Sequence, residues 1–345
     1  MLTIAFLTFA STLVTYLCCL LVIRRAHKWE LMDNPNHRSS HHAPTPSGGG
    51  IGLAFAGSMV GVYFSAVGSA DMYLTVVLVI SCVLAVVGLH DDRKPMPARW
   101  RLLLQVVLAA SLLIVLGGLP EMQRFVDAWF GRTLVYALLL LVIVWWINLY
   151  NFMDGIDGLA GMQTIFMLLV GVALLVWPRP ELLSDPIMVW MLCIAGATAG
   201  FLILNWAPAK IFMGDVGSIY LAFMLLSFGL LSIRNEFIPV VTGLSMWAIL
   251  GATFATDATI TLITRMLTIK RWHEAHRTHL YQRLARRFDS HRTVTLCYLA
   301  VNLLWLLPMA FVCVRYPQWA VAWAVLAYTP LIALAIGLGA GRSDE

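Results

Sequence analysis

The strongest constraint in this chain is that its apolar residues fall into eleven blocks, each about the length a helix needs to cross ~30 Å of hydrocarbon. The blocks cover about residues 2–23, 50–66, 72–89, 101–118, 133–149, 160–176, 187–204, 218–233, 239–264, 294–314 and 318–339. Of the 345 residues 60% are hydrophobic and 12% charged, about half the charge with which a soluble domain coats itself. Period-two alternation is absent, which excludes a β-barrel. The predicted fold is therefore an all-α polytopic membrane protein, one integral-membrane domain over 1–345. Eleven spans of ~20 residues use most of the length, leaving no room for a separate soluble domain.

Charge placement orients the helices. Loops at 24–49, 90–101, 150–159, 205–217, 265–293 and 340–345 hold 18 of the 23 Lys and Arg and all nine His. The other set holds only Arg124, Arg132, Arg179, Arg234 and Arg315. The positive-inside rule makes the first set cytoplasmic, with the N-terminus outside (periplasmic) and the C-terminus inside. The first span lacks a basic n-region and a small-residue cleavage site, so it reads as a retained helix. All six Cys lie in apolar blocks without metal spacing and read as packing residues.

Chemistry collects in the cytoplasmic loops. Asp91 and Asp92 are adjacent at the end of a span, an expensive pairing unless a cation or a proton-accepting role uses it. The 150–159 loop has no Lys or Arg, and Asp154 and Asp157 are each followed by a glycine, which suits a divalent cation or sugar hydroxyls. In the next loop Asp215 lies between Gly214 and Gly217 just before a span, where Ser218 is the expected N-cap and a phosphate could settle. Phe212 could stack on a base. The fifth loop carries His273, His276 and His279 at three-residue intervals with Arg277 and Arg283, a face that clamps phosphates or rests on anionic lipid. A Gly-rich stretch, Pro44-Thr45-Pro46-Ser47-Gly48-Gly49-Gly50, enters the second span without a Walker pattern. Carboxylates for Mg²⁺ together with Arg and His for phosphates imply phosphoryl transfer to a lipid-borne acceptor.

These pieces resemble the polyprenyl-phosphate N-acetylhexosamine-1-phosphate transferases, the glycosyltransferase family 4 superfamily. The match consists of Pro44-Thr45 with its glycines, Asp91-Asp92, Asn151-Phe152-Met153-Asp154-Gly155-Ile156-Asp157-Gly158, Ile211 to Ser218 and the His-rich loop. They stand in the family's order over about residues 30–290. The resemblance implies transfer of HexNAc-1-phosphate from a UDP-sugar to undecaprenyl phosphate, with release of UMP, in the bacterial inner membrane. It implies catalytic roles for Asp91 and Asp92, and Mg²⁺ (with Mn²⁺ as a substitute) held by Asp215 and Asp154. Thr45, Lys94, Asn151, Asp157, Asn205, Phe212, His276, Arg277, His279 and Arg283 become the expected nucleotide and substrate contacts. Asp257 and Arg265 resemble a family pair leading into the last loop, and Asp257 reads as structural before catalytic.

Two departures matter. The fifth loop has His279-Leu280-Tyr281-Gln282 where many UDP-GlcNAc users carry a His-x-His-His cluster, so it looks like the O-antigen-initiating branch using 6-deoxy donors, FucNAc or QuiNAc, with GlcNAc and GalNAc open. Lys94 follows Asp92 by two positions where the pentapeptide branch has three. One-step and aspartyl-phosphate routes both stay open. The expected surroundings are membrane lipids, with no nucleic acid; a homodimer is left open. The rival reading is a transporter or flippase of a lipid-linked or anionic solute, disfavoured because the charges cluster at one face rather than at the midplane. A CDP-alcohol phosphotransferase lacks support because Asp157-Gly158 is not followed by its Ala-Arg.

Overall fold

A computed structural model describes residues 1–35, 43–117, 129–268 and 277–342. The chain is a helical membrane bundle, and each of the eleven apolar blocks coincides with helix. The helices are α1 (Leu2–Arg25), α2 (Gly50–Ala66), α3 (Met72–Arg93), α4 (Ala98–Leu116), α5 (Trp129–Met153), α6 (Leu159–Val176) and α7 (Pro186–Asn205). After them come α8 (Gly214–Arg234), α9 (Val240–Leu250), α10 (Ala252–Thr268), α11 (Leu280–Phe288), α12 (His291–Val301), α13 (Leu307–Arg315) and α14 (Ala320–Gly337). Among the described residues nine helical stretches are long and apolar enough to cross a membrane, α12 and α13 counting as one.

The centre is α8, buried along 94% of its most apolar stretch, whereas the corresponding stretch of α14 at the rim is 17% buried. Helix α8 packs on α3, α2 and α5, and α7 on α1, α2 and α6. Rim helices turn Phe6, Leu13, Ile114, Leu141, Leu304 and Val325 outward, as a lipid-facing surface requires.

Two blocks depart from straight helices. The ninth, expected as one span over 239–264, is α9 and α10 meeting at a 73° bend around Gly251. Backbone groups freed by a break in apolar surroundings need new partners. Gln163 Nε2 donates to the Leu250 carbonyl at 2.9 Å, and Gln163, Thr253 and Asn302 close a buried hydrogen-bonded network beside it. The tenth contains a π turn, Asn302–Leu306, just before Pro308, whose missing N–H cannot continue the regular ladder.

Hydropathy alone puts residues 90–101 together in one loop. The turn is tighter: α3 runs to Arg93, Pro95-Met96-Pro97 reverses the chain, and α4 starts at Ala98. Arg101 therefore sits in the first turn of a helix that returns alongside α3. A short antiparallel ladder, Met32–Asp33 with Thr45–Pro46, closes the first loop.

Candidate active site

The site forms where α2, α3, α5 and α8 end. Helix α8 begins at Gly214, whose φ of +74° is left-handed, and a Cβ there would lie 2.6 Å from Asp92 Oδ2. Glycine is required on both counts. Gly88 serves the crossing below it, since a Cβ would meet the Asp215 carbonyl at 2.7 Å.

The cap of α8 comes from another helix. Asp92 accepts the Asp215 N–H through Oδ1 at 2.8 Å and the Val216 N–H through Oδ2 at 3.1 Å. A carboxylate on the first free amides of a helix satisfies orphan donors and complements the helix dipole. Ser218, the cap expected from sequence, lies inside α8: its hydroxyl donates to the Gly214 carbonyl and accepts from Asn151. Three residues separate a capping side chain from the amide it serves, and Ser218 comes after the helix start rather than at it.

Asp215 points into the space beside this cap. Its Oδ1 accepts from Asn151 Nδ2 at 2.8 Å and its Oδ2 faces Arg101 Nη1 at 3.2 Å. The same Nη1 makes a short charge-assisted bond to Asp91 Oδ2, while Asp91 Oδ1 accepts the Met96 N–H at 2.5 Å. Asp91 is buried. Asp154 stands in the turn after α5 and has no side-chain hydrogen bond to a described residue. Burial, and then the charges of Asp215, Asp92 and Asp157, push its carboxyl well above the ordinary range.

Other expected contacts hold the loops in register. Asn205 Oδ1 accepts the Gly158 N–H at 2.9 Å and its Nδ2 donates to the Ile211 carbonyl at 2.8 Å. Asp157 accepts the Ala209 N–H at 3.1 Å and approaches His291 Nδ1 at 3.2 Å. Buried Thr45 donates to the Ala43 carbonyl, and the adjoining Gly-rich segment is stitched to residues 212–213. There Phe212 N–H donates to Pro46, Gly49 N–H to Phe212 and Gly50 N–H to Met213. Phe212 itself is half-buried, and Lys94 is exposed just past the end of α3.

The fifth loop contributes less directly. Asp257 is buried and accepts the Leu280 and Tyr281 N–H groups at 2.8 and 3.0 Å, the Tyr298 hydroxyl at 2.7 Å and the Thr261 hydroxyl at 3.2 Å. It thus caps α11 as Asp92 caps α8, which fits its structural reading. His279 Nδ1 lies 3.5 Å from Asp257 Oδ1. Tyr281 then donates to the Phe152 carbonyl at 2.9 Å, joining α11 to the Asp154 turn. Arg283 donates to the Arg342 carbonyl, and Arg277 is exposed. His276 lies outside the described residues.

Geometry therefore joins Asp91, Asp92, Asn151 and Asp215 directly, with Asp154 beside them, and adds Arg101 and Ser218. The available signal for Arg101 was its place ten residues after Asp91 across a Pro-x-Pro reversal, which returns one helix along the other. Among the described residues no three His, Cys or carboxylate groups converge to close a cation cage by themselves. One or two carboxylates open to ligand oxygens is how Mg²⁺ is usually held.

A family model described as glycosyl transferase family 4 matches residues 74–233. The chain is 30% identical to a Bacillus subtilis protein named "Probable undecaprenyl-phosphate N-acetylglucosaminyl 1-phosphate transferase", over 84% of this chain and 80% of that one. It is 28% identical to a decaprenyl-phosphate N-acetylglucosaminephosphotransferase of Mycobacterium leprae, over 85% of this chain and 79% of the relative. A protein of that name from Mycolicibacterium smegmatis is 29% identical over 87% and 80%.

Proposed function

Because the chain belongs to the polyprenyl-phosphate N-acetylhexosamine-1-phosphate transferases of glycosyl transferase family 4, we propose that it moves HexNAc-1-phosphate from a UDP-sugar to undecaprenyl phosphate. In this reaction an oxygen of the lipid phosphate bonds to the β-phosphorus. The bond from that phosphorus to the bridging oxygen breaks, and UMP leaves with the electron pair. The observation that carries the reading is the convergence of Asp91, Asp92, Asp215 and Asn151 at one end of a membrane bundle, beside Asp154, which has no side-chain hydrogen bond to a described residue.

The donor set fits Mg²⁺, or Mn²⁺ in its place: hard carboxylate oxygens, among them those of Asp154, which make no hydrogen bond to a described residue and are crowded by like charge. Asp215 and Asp154 are the residues we assign to it. Bound there, the ion neutralises diphosphate charge and polarises the β-phosphorus. Asp91 lies at the site with one oxygen on the Met96 amide and the other on Arg101, so its part is to hold that guanidinium beside the lipid phosphate rather than to take a proton from it. Asp92 has both oxygens on the amides of α8, which favours direct in-line displacement over a covalent intermediate on that residue. A phosphomonoester has a second pKa near ~6, so positioning and charge neutralisation supply most of the acceleration.

We assign the site to the cytoplasmic face of the inner membrane, on the charge bias of its loops. The product then starts a lipid-linked O-antigen or related surface polysaccharide. His279-Leu280-Tyr281-Gln282 favours a 6-deoxy donor, UDP-FucNAc or UDP-QuiNAc, while the relatives' names make UDP-GlcNAc the reference. The test is UMP release by purified protein with undecaprenyl phosphate and Mg²⁺, comparing UDP-GlcNAc, UDP-GalNAc, UDP-QuiNAc and UDP-FucNAc. A 6-deoxy preference supports the branch, and preference for UDP-GlcNAc removes it while keeping the reaction. No UMP from any donor, with EDTA making no difference, returns the transporter.

A further inference from the structure

The carboxylate cluster already contains a cation. Among the described residues its one ion-paired partner is Arg101, whose Nη1 binds Asp91 Oδ2 and lies 3.2 Å from Asp215 Oδ2. With Asn151 on Oδ1, both oxygens of Asp215 are engaged. The two arms of the bridge are unequal. On Asp91 the guanidinium contact is the closer one, and Asp91 is further held by the Met96 amide. Asp215 is held from its far side by Asn151, so it stays oriented when the guanidinium withdraws. The Arg101 side chain is 36% exposed and stands in the first turn of α4, so its long stem can swing without moving the backbone.

A guanidinium and a divalent cation compete for one carboxylate oxygen. Two positive groups a few ångströms apart repel each other even at an effective dielectric of ~20. We propose that Arg101 is a positioning residue that occupies the cation's place on Asp215 between turnovers, and cedes it while keeping Asp91. The inference rests on the assignment of Asp215 as a cation ligand. It gives the empty cluster a charge partner, so that four neighbouring carboxylates persist near a low-dielectric layer without collapse or permanent metal loading. It also leaves a guanidinium at the rim of the site when the nucleotide arrives, in reach of phosphate oxygens that it pairs with geometrically.

The sign of the effect separates this role from a scaffolding one. A residue that only shapes the site weakens metal binding when removed, whereas a competitor strengthens it. The experiment is a Mn²⁺ titration of the full-length protein in detergent with UMP present, followed by the electron paramagnetic resonance of free Mn²⁺. Arg101→Gln binds Mn²⁺ about fivefold or more tighter than wild type, the gap narrowing as salt screens the lost charge. Arg101→Lys restores wild-type affinity, and Arg101→Met replaces Arg101→Gln should that variant be unstable. Equal or weaker binding by the charge-removing variant, with wild type binding normally, overturns the inference and leaves the proposed function intact. Absence of Mn²⁺ binding by wild type, or binding by Asp215→Asn as tight as wild type, removes the metal assignment and the inference with it.

Discussion

Asp92 Oδ1 accepts the backbone N–H of Asp215 at 2.8 Å, so one acidic side chain of the cluster caps the helix that presents another. Adjacent Asp91 and Asp92 thereby take different work. Asp91 faces Arg101 and the Met96 amide, and Asp92 fixes where α8 begins.

That division predicts different outcomes for two changes at one position. Asp92→Ala removes the cap and lowers stability by about 1 kcal/mol. Asp92→Asn keeps one acceptor oxygen and melts within a few degrees of wild type. Both lose turnover by a hundredfold or more, because each weakens the two-oxygen grip on the α8 amides that sets Asp215 in the site (about 3 kcal/mol). Melting curves and single-turnover rates on the same purified samples check both statements. Wild-type turnover in Asp92→Asn would leave Asp92 as a cap only.

Asp215→Asn retains its contact to Asn151 and loses its attraction for a cation. We expect normal membrane insertion, turnover reduced a hundredfold or more, and a Mg²⁺ titration that does not saturate in the wild-type range. Turnover like that of wild type excludes Asp215 from the mechanism.

Gly214→Ala places a Cβ against the Asp92 carboxylate and forces an L side chain to a φ of +74°. The expected cost is roughly 1–3 kcal/mol of stability, with turnover falling along with it because the cap of α8 is displaced. An alanine variant that melts and turns over like wild type would contradict this packing.

The pH dependence of stability follows from Asp154. Its folded-state carboxyl is raised by burial and by the neighbouring carboxylates, while its unfolded value is near ~4. A raised folded pKa contributes stability that is complete below the unfolded pKa and is lost as pH rises through the folded one. Protein stripped of divalent cation therefore loses melting temperature as pH climbs from about 4 upward. Added Mg²⁺ restores more of it at the high end than at the low end. Melting in EDTA that is flat or rises over this interval goes against the assignment.

Much of this was legible in the sequence, because bilayer thickness and hydropathy act on whole segments. Each of the eleven apolar blocks is helical, and the loop sequences alone mark Asp91, Asp92, Asn151 and Asp215, which the fold brings together. What escaped depends on contacts between segments. The break at Gly251 needs Gln163, nearly ninety positions away, to take the freed Leu250 carbonyl. Arg101 reads locally as one more positive charge at a membrane edge, and only the Pro95–Pro97 reversal brings it onto Asp91 and Asp215. Ser218 has the right chemistry for a cap but the wrong side of the helix start, and the cap came instead from 123 residues upstream of Asp215. Arg283 is an expected phosphate contact, and its reach to the Arg342 carbonyl, 59 residues on, is a contact between segments that no local pattern displays.

The most direct test of the account follows the donor's β-phosphorus. A UDP-HexNAc radiolabelled at that atom is incubated with purified protein, undecaprenyl phosphate and Mg²⁺, and the label is traced after extraction into organic solvent. The account predicts label in the lipid fraction, equimolar with unlabelled UMP in the aqueous one, and neither without the lipid or with EDTA. Label remaining with the nucleotide as UDP, or released as inorganic phosphate, would contradict transfer of a sugar phosphate.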